Sequence, residues 1–379
     1  MSGPPKREVS VPVAQIHVVM IAHAYYDESS QGIVYWVSSE TNEALRYSDY
    51  DSDSGESTGS GDTLLSCEIS DYFHEVNGRV FINNPNVPIW YPIDELRRLS
   101  LRHELLKLVY GGNHFGPITE VLQAQRAYRP RVLDIGTRSG AWVQEMSKEF
   151  PHAQFLSVDV APIVDHIPRA NITFEVYDLA SRILEADESF DLIKDIPGIL
   201  KEAQRVLRPG GLLLAIESET MLYESYDTNR PSMSSTPLTW RATSALHCAL
   251  AAQRVKVNAY RLLEQWLSSG SNLWAGDQLP FEYTSSGVKI VHAGGWDSDA
   301  KRQEIRLILA QYGTICWRSL TAVLATLGLG EGDVQELVDG AVRELKDPRT
   351  TYALKFHHVF ARKTRMSRIG SGDLLQACG

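Results

Sequence analysis

The sequence VLDIGTRSG, residues 132–140, joins an apolar β-strand to a turn bounded by two glycines. Asp134 lies near the end of the apolar run, and Gly136 and Gly140 let the chain turn tightly into a helix. Ligands of open α/β sheets bind at the carboxyl ends of strands, so this turn is expected to form part of a nucleotide-type site. The pattern is not GxGxxG, and Asp134, two residues before Gly136, would repel a pyrophosphate. A cationic or zwitterionic ligand fits this turn better.

Residues 131–217 alternate apolar strands with helical segments, which is typical of a parallel sheet covered on both faces. The predicted strands are 131–135, 155–159, 172–177, 190–193 and 211–217, with helices at 142–150 and 197–207. Further predicted helices are 93–110, 239–267, 298–311, 317–328 and 332–345, and further strands are 287–293 and 353–363. The sequence therefore predicts an α/β fold.

Two more acids follow strands of this pattern. Asp159 ends the strand after the glycine turn, about 20 residues from Gly136, where a carboxylate can accept both hydroxyls of a ribose. Asp178 ends the third strand. With Asp134, they predict a nucleoside-binding crevice without a phosphate cradle. Alternatively, Asp134 caps the following helix, since strand-end acids and glycine loops occur in many α/β folds.

Several stretches together resemble the successive motifs of class I S-adenosylmethionine (SAM)-dependent methyltransferases. They are DIGTRSG (134–140), FLSVDVAP (155–162), FEVYDL (174–179) and ILKEAQRVLRPGGLLLAIE (199–217). The flanking sequences YFHEVNGRVF, LRHELLKLVYGGNHFGPI, ELVDGAVRELKD and FHHVFARK are similar to the fungal UMTA/LaeA-like branch of that family. The resemblance covers residues 71–363.

The resemblance implies a Rossmann-like sheet of seven strands, mostly parallel with the last strand antiparallel, helices on both faces and a helical lid. It implies SAM as the cofactor. Asp134 would orient its amino group, Asp159 would bind its ribose and Asp178 would approach its adenine. The other cofactor-binding residues implied are Gly136, Thr137, Gly140, Val160 and Leu179.

The chain departs from the family pattern at two places. Arg138 stands where the family usually has a glycine, so its side chain must point away from the cofactor or narrow the pocket. Relatives carry about nine more residues after the fourth strand, whereas here Ile193 runs almost directly into a helix, with Asp195 as the expected N-cap and Pro197 at its first position. These departures leave a reshaped pocket, an erroneous gene model and lost activity as open alternatives.

Composition excludes several classes of protein. The chain has 379 residues with 37 Lys and Arg against 47 Asp and Glu, a net charge of −10, so nucleic acid is not an expected ligand. Its four cysteines show no CxxC pair, which argues against a disulfide framework or a zinc site and favours a reducing compartment. We expect an intracellular, cytoplasmic protein without a membrane partner and without a metal.

The chain divides into four predicted parts. Residues 1–46 are a β-rich segment without a motif, and residues 47–70 are rich in Ser, Gly and Asp and read as a flexible linker. Residues 71–363 form the predicted catalytic domain, with its cofactor-binding core at 129–220 and its lid at 221–285. The tail from 364 to 379 is predicted to be disordered.

His247, in the predicted lid, is the candidate catalytic residue. A general base is needed only if the acceptor is a neutral hydroxyl, amine or thiol, and a packed histidine is the simpler alternative. His357 and His358 alternate in the last strand, so one is expected to face the core and the other solvent. Arg97, Arg98 and Arg102 are expected to form a solvated helix face.

The sequence thus predicts a SAM-dependent methyltransferase that methylates a small-molecule acceptor, most simply at oxygen, in secondary-metabolite biosynthesis. One alternative is a LaeA-like regulator, nuclear and acting through protein partners, and another is a catalytically impaired member. A NAD-dependent oxidoreductase is disfavoured because GxGxxG is absent. Dimerisation through the helices after residue 298 stays open.

Overall fold

The computed structural model describes residues 23–27, 32–36, 72–93, 96–123, 128–161, 163, 169–179, 182–194, 199–268, 270–274, 281–294 and 299–365. The predicted linker at 47–70 lies outside the described residues, as do the predicted tail from residue 366 onward and the predicted helix cap at Asp195 and Pro197.

Two antiparallel hairpins precede the main sheet. They pair β1 (His23–Asp27) with β2 (Gly32–Trp36) and β3 (Phe73–Val76) with β4 (Arg79–Ile82). The second turn is Asn77-Gly78, and both residues have positive φ angles, 49° and 72°. Two left-handed residues give the turn the twist that a tight hairpin needs, which is why Asn-Gly is favoured there.

The centre of the fold is one mixed sheet. Its strands are β5 (Arg131–Ile135), β6 (Gln154–Asp159), β7 (Ile172–Val176), β8 (Phe190–Lys194), β9 (Leu207–Ser218), β10 (Tyr223–Glu224), β11 (Phe281–Ala293) and β12 (Tyr352–Lys363). The order across the sheet is β7-β6-β5-β8-β9-β12, with β10 and β11 both paired to β12. The strands from β7 to β9 are parallel, whereas β12 is antiparallel to its neighbours. The predicted Rossmann-like, mostly parallel sheet with an antiparallel last strand is confirmed, and two-residue β10 is an addition to it.

Helices cover both faces of this sheet. They are α1 (Leu96–Tyr110), α2 (Ile118–Val121), α3 (Ala141–Glu149), α4 (Leu200–Val206), α5 (Pro237–Ala252), α6 (Leu263–Leu267), α7 (Ala300–Ser319), α8 (Thr321–Ala325) and α9 (Glu331–Lys346). Val132 and Leu192 pack with α2 and α3 on one face, and Leu133 and Ile193 pack with α4 and α6 on the other. All four side chains are fully buried, because strands covered on both faces have no solvent side.

Three predicted helices have different bounds in the structure. The predicted helix 239–267 ends at Ala252, and Arg254 then takes a positive φ of 63°, which a helix does not allow. The predicted helices 298–311 and 317–328 are instead α7 and the short α8. Ala300–Ala325 is long and apolar enough to cross a membrane by composition, but half of its apolar window is buried inside the protein, as in a core helix.

Candidate active site

The turn after β5 has an unusual backbone. Gly136, Arg138 and Gly140 have φ angles of 76°, 54° and 69°. Glycine adopts this left-handed region freely, whereas a side chain there costs about 1–2 kcal/mol. The family usually has glycine at the position of Arg138 because glycine adopts this backbone conformation without strain. In this chain the backbone at Arg138 is strained.

Asp159 holds this turn from the end of β6. Its Oδ2 accepts the backbone N–H of Arg138 at 2.9 Å, and its Oδ1 accepts the N–H of Val160 at 2.8 Å. Burial raises the pKa of Asp159, although these hydrogen bonds act in the opposite direction. The carboxylate thus ties β6 to the β5 turn, which is the position expected for a ribose-binding acid.

Asp134 lies beneath the turn, with a side chain only 1% exposed. Its Oδ1 accepts a hydrogen bond from Lys194 Nζ at 2.5 Å, and its Oδ2 accepts one from Ser157 Oγ at 2.9 Å. Lys194 ends β8 and also places its ammonium 4.7 Å from the ring centroid of Trp142. The amine that Asp134 contacts in this structure is therefore a lysine of the chain itself.

A cavity of about 100 Å³, which we call the cofactor cavity, lies over the turn. Gly136 and Thr137 line it, whereas Asp134, Gly140, Asp159, Val160, Asp178 and Leu179 are not among its lining residues. Its basic lining side chains include Arg102, Lys107, Arg138 and Lys194. Burial and the charge of Arg102 lower the pKa of Arg138. The cavity is thus richer in positive charge than the three predicted acids suggest.

Asp178 and Leu179 lie away from this lining. Asp178 Oδ2 accepts a hydrogen bond from Asn86 Nδ2 at 3.4 Å, and Leu179 is buried in a hydrophobic cluster with Leu133 and Ile135. Their predicted contact with adenine stays a prediction.

The prediction of a solvated arginine face on α1 is wrong for two of its three members. Arg97 is exposed, but Arg98 is only 8% exposed and its guanidinium carbon lies 4.1 Å from the ring centroid of Tyr91. Arg102 lines the cofactor cavity. α1 packs against both α7 and α3, so part of its surface is withdrawn from water.

A second cavity, of about 490 Å³, is formed by the segment after β9, the chain around α6, and strands β11 and β12. We call it the Glu219 cavity. Glu219 is 3% exposed and accepts hydrogen bonds from His357 Nε2 at 2.7 Å, from Tyr260 at 3.1 Å and from the Tyr223 hydroxyl. Burial alone would raise the pKa of Glu219, but these hydrogen bonds hold it below its ordinary value.

The expectation that one of the two adjacent histidines faces solvent is wrong. Both are half-buried, on opposite faces of β12. The His357 ring lies 4.5 Å from that of Tyr260, whereas Nδ1 of His358 lies 3.2 Å from the hydroxyl of Tyr110. Alternation along the strand was the right signal, but helices cover both faces.

His247 lies on α5, where its Nε2 is 2.6 Å from Oγ1 of Thr220. Burial lowers its pKa. It is not among the residues that line the cofactor cavity or the Glu219 cavity, so its catalytic role stays a prediction.

One cluster of possible metal ligands occurs among the described residues. His103, Glu104 and Glu145 bring their ligand atoms within 4.8 Å of one another. Lys107 Nζ lies 2.9 Å from Glu145, so the cluster already has a cation of its own.

Residues 94–268 match a family of sequences described as a methyltransferase domain. A relative from Coprinopsis cinerea, the secondary metabolism regulator laeA, is 24% identical over 308 residues, which are 76% of this chain and 73% of the relative. This chain contains a class I, SAM-dependent methyltransferase domain.

Other similarities to the methyltransferase domain are shorter or weaker. Methyltransferase pytC of Aspergillus terreus is 31% identical over 110 residues, so the match spans 26% of this chain and about a third, 34%, of that relative. A solved phosphoethanolamine N-methyltransferase 2 of Haemonchus contortus, in complex with S-adenosyl-L-methionine, has a TM-score of 0.36 and 14% identity, covering 75% of this chain and 62% of that chain. That score is too low to support a functional comparison.

Proposed function

We propose that this protein transfers the methyl group of SAM to a small-molecule acceptor in secondary-metabolite biosynthesis, most simply to an oxygen atom and in the cytoplasm. The observation that carries the proposal is the turn at the carboxyl ends of β5 and β6, where Gly136, Arg138 and Asp159 meet beside a cavity. The matched methyltransferase family and the names of the relatives support the chemistry and the biological setting.

The side chains around this turn fit the polar groups of the cofactor. Asp159 supplies a carboxylate at the strand end where ribose hydroxyls bind in such sheets. The guanidinium groups of Arg102 and Arg138 are matching donors for the carboxylate of the methionine end. Asp134 is a matching partner for the ammonium of that end, provided that Lys194 releases it.

The cofactor cavity is narrow for such a ligand. Its volume of about 100 Å³ is below the roughly 300–1,000 Å³ of most ligand pockets. Lys194 reaches from β8 across Trp142 to Asp134 and occupies the space beside the turn. The proposal therefore includes opening of the Lys194–Asp134 ion pair, which would free the Asp134 carboxylate for the cofactor.

When bound, the cofactor supplies a methyl group carried by a positively charged sulfur, which is a good leaving group. The protein's contribution is to hold the acceptor atom in line with that group and to exclude water. Aromatic side chains that line the cofactor cavity, Tyr110, Phe115 and Trp142, form a wall suited to that exclusion.

Replacing Asp159 with asparagine tests the cofactor site. The variant keeps the size of the side chain but loses the charged acceptor, and a hydrogen bond to a charged group is worth about 1.5–3 kcal/mol. We expect calorimetric titration to show SAM and S-adenosylhomocysteine binding to the wild type, and about 10- to 100-fold weaker binding to Asp159→Asn. Glu336→Gln, at an exposed acid on α9, is the matched control and should bind like the wild type. Absence of SAM binding by the wild type would overturn the proposal.

A regulator of secondary metabolism acting through protein partners is the second candidate function. The relative that aligns over 76% of this chain is named a secondary metabolism regulator, which is the observation in its favour. Metabolite profiling of a deletion strain separates the two candidates. Accumulation of one intermediate that lacks a methyl group is the result expected for a biosynthetic enzyme. A broad loss of unrelated metabolites would instead support the regulator.

A further inference from the structure

The Glu219 cavity adjoins the cofactor cavity at the carboxyl end of β9. Glu217 lines the cofactor cavity and lies directly opposite His357 in the pairing of β9 with β12. Tyr110, from the cofactor cavity, contacts His358 of the Glu219 cavity at 3.2 Å. Lining residues of the two cavities are therefore neighbours along β9 and across the β9–β12 pairing, which places both cavities at the same end of the sheet.

Glu219 fixes which nitrogen of His357 carries a proton. The anionic carboxylate accepts a hydrogen bond from Nε2 at 2.7 Å, so Nε2 bears the hydrogen of the neutral imidazole. Nδ1 is then the unprotonated nitrogen. Within the part of the chain that the structure describes, the one side-chain hydrogen bond of His357 is the bond to Glu219. The arrangement leaves His357 oriented and able to accept a proton.

Glu219, Tyr223 and Tyr260, the groups that this hydrogen-bond cluster joins to His357, are poor proton acceptors. Glu219 has a lowered pKa and its oxygens already accept three hydrogen bonds. Burial raises the pKa of Tyr223 to about 12, and burial also raises that of Tyr260, so both hydroxyls stay protonated and act as donors. The imidazole of His357, in contrast, has a lone pair on its unprotonated Nδ1 that can accept a proton.

The dimensions and walls of the cavity suit a small aromatic ligand. Its volume of about 490 Å³ lies within the usual range of about 300–1,000 Å³. Leu263, Val288 and Val359 supply apolar wall, and the Tyr260 ring offers a stacking surface. A phenolic hydroxyl, with a pKa of about 10, can give its proton to an imidazole far more readily than an aliphatic alcohol with a pKa near that of water, about 15.7.

We propose that the Glu219 cavity binds a phenolic acceptor and that His357, oriented by Glu219, removes the proton of its hydroxyl. This inference rests on the proposed methyl transfer. The O–H bond breaks and its proton moves to Nδ1 of His357. The electron pair of the oxygen forms the new bond to the methyl carbon, and the carbon–sulfur bond breaks with its electrons left on sulfur.

The test uses the full-length chain without SAM and 4-nitrophenol as the probe, since its phenolate absorbs visible light and the neutral phenol does not. On binding to the wild type we expect the phenolate band to grow at a pH below the probe's own pKa. His357→Gln keeps a donor to Glu219 but has no proton-accepting nitrogen, and it should bind the probe without that band. His292→Gln, at an exposed histidine on β11, should behave like the wild type.

The charged and titratable side chains around His357 bear on this pH dependence. They are Glu217, Glu219, Tyr260, Arg261, Glu264, Lys355 and His358. A titration of the wild type and His357→Gln over pH separates the contribution of His357 from theirs, because the other groups are common to both proteins. A phenolate band of equal strength in both proteins would overturn the proposal, as would failure of the wild type to bind the probe.

Catalysis gives the second readout. If SAM binds, His357→Gln should lower kcat for a phenolic acceptor by about 100-fold or more while SAM affinity stays within twofold of wild type. If the wild type does not bind SAM, the proposed function is wrong. If His357→Gln binds SAM and its kcat is unchanged, the assignment of His357 as the base is wrong and the proposed function is unaffected.

Discussion

Lys194→Met is expected to lower the free energy of unfolding by about 3–5 kcal/mol. The substitution leaves the Asp134 carboxylate, 1% exposed, with Ser157 as its hydrogen-bond donor and without its cation. A buried charge that loses its partner cannot recover the solvation it had in the unfolded chain, so the folded state bears the full penalty. Urea unfolding followed by circular dichroism measures this change.

The double variant Asp134→Asn with Lys194→Met removes both charges and should recover most of the stability. Lys107→Met is the matched control, because Lys107 and Glu145 form a similar close pair with about 30% of each side chain exposed. Exposed pairs contribute at most about 1 kcal/mol, so this control should unfold nearly as the wild type does. A Lys194→Met variant as stable as the control would show that the Lys194–Asp134 pair contributes little to the free energy of unfolding.

The same variant bears on the proposed opening of the cofactor cavity. If Lys194 must leave Asp134 before the cofactor binds, its removal takes away a competitor for that carboxylate. SAM should then raise the melting temperature of Lys194→Met by more than it raises that of the wild type, since ligand binding to the folded state stabilises it more when the affinity is higher. An equal or smaller shift would contradict the role of Lys194 as competitor.

The strands were predictable because their burial is decided locally. Runs such as RVLDI and FDLI are mostly apolar, with residues such as Val132, Leu133, Leu192 and Ile193 side by side, and a strand covered on both faces needs such consecutive apolar residues. The Asn77-Gly78 turn was predictable for a similar reason, since few residue pairs tolerate two positive φ angles. The order of the family motifs along the sequence then specified a mostly parallel sheet with an antiparallel last strand.

The roles of charged side chains were less predictable because their partners lie far away in the chain. Asp134 could be recognised as a strand-end acid, but Lys194, its cation, is 60 residues away and ends a different strand. Glu219 and His357 are 138 residues apart and meet because β12 inserts beside β9. The resemblance to the family directed attention to His247 in the lid instead. A signal was present: Glu219 follows β9 directly, and β12, expected to lie antiparallel in the same sheet, carries two histidines.

Glu219→Ala is the second substitution with a large expected effect, a loss of about 3–5 kcal/mol in the free energy of unfolding. Truncation leaves the donors of His357, Tyr223 and Tyr260 without their shared acceptor, which is itself only 3% exposed. Each unsatisfied buried donor costs about 1–3 kcal/mol, and partial entry of water into the cavity of about 490 Å³ offsets some of that cost.

The pH dependence of stability distinguishes this carboxylate from an ordinary packing residue. The pKa of Glu219 is lower in the folded protein than its ordinary value of 4.5, so its contribution is fully present above about pH 4.5. That contribution decreases as the pH falls through the folded pKa, because protonation removes the charge that His357, Tyr223, Tyr260 and Arg261 stabilise. Urea unfolding at neutral pH and at pH 3 should therefore show a smaller destabilisation by Glu219→Ala in acid. Glu264→Ala, at an exposed acid of the same cavity, is the control and should show little difference between the two pH values. A destabilisation by Glu219→Ala that is the same at both pH values would mean that its volume, and not its charge, stabilises the cavity.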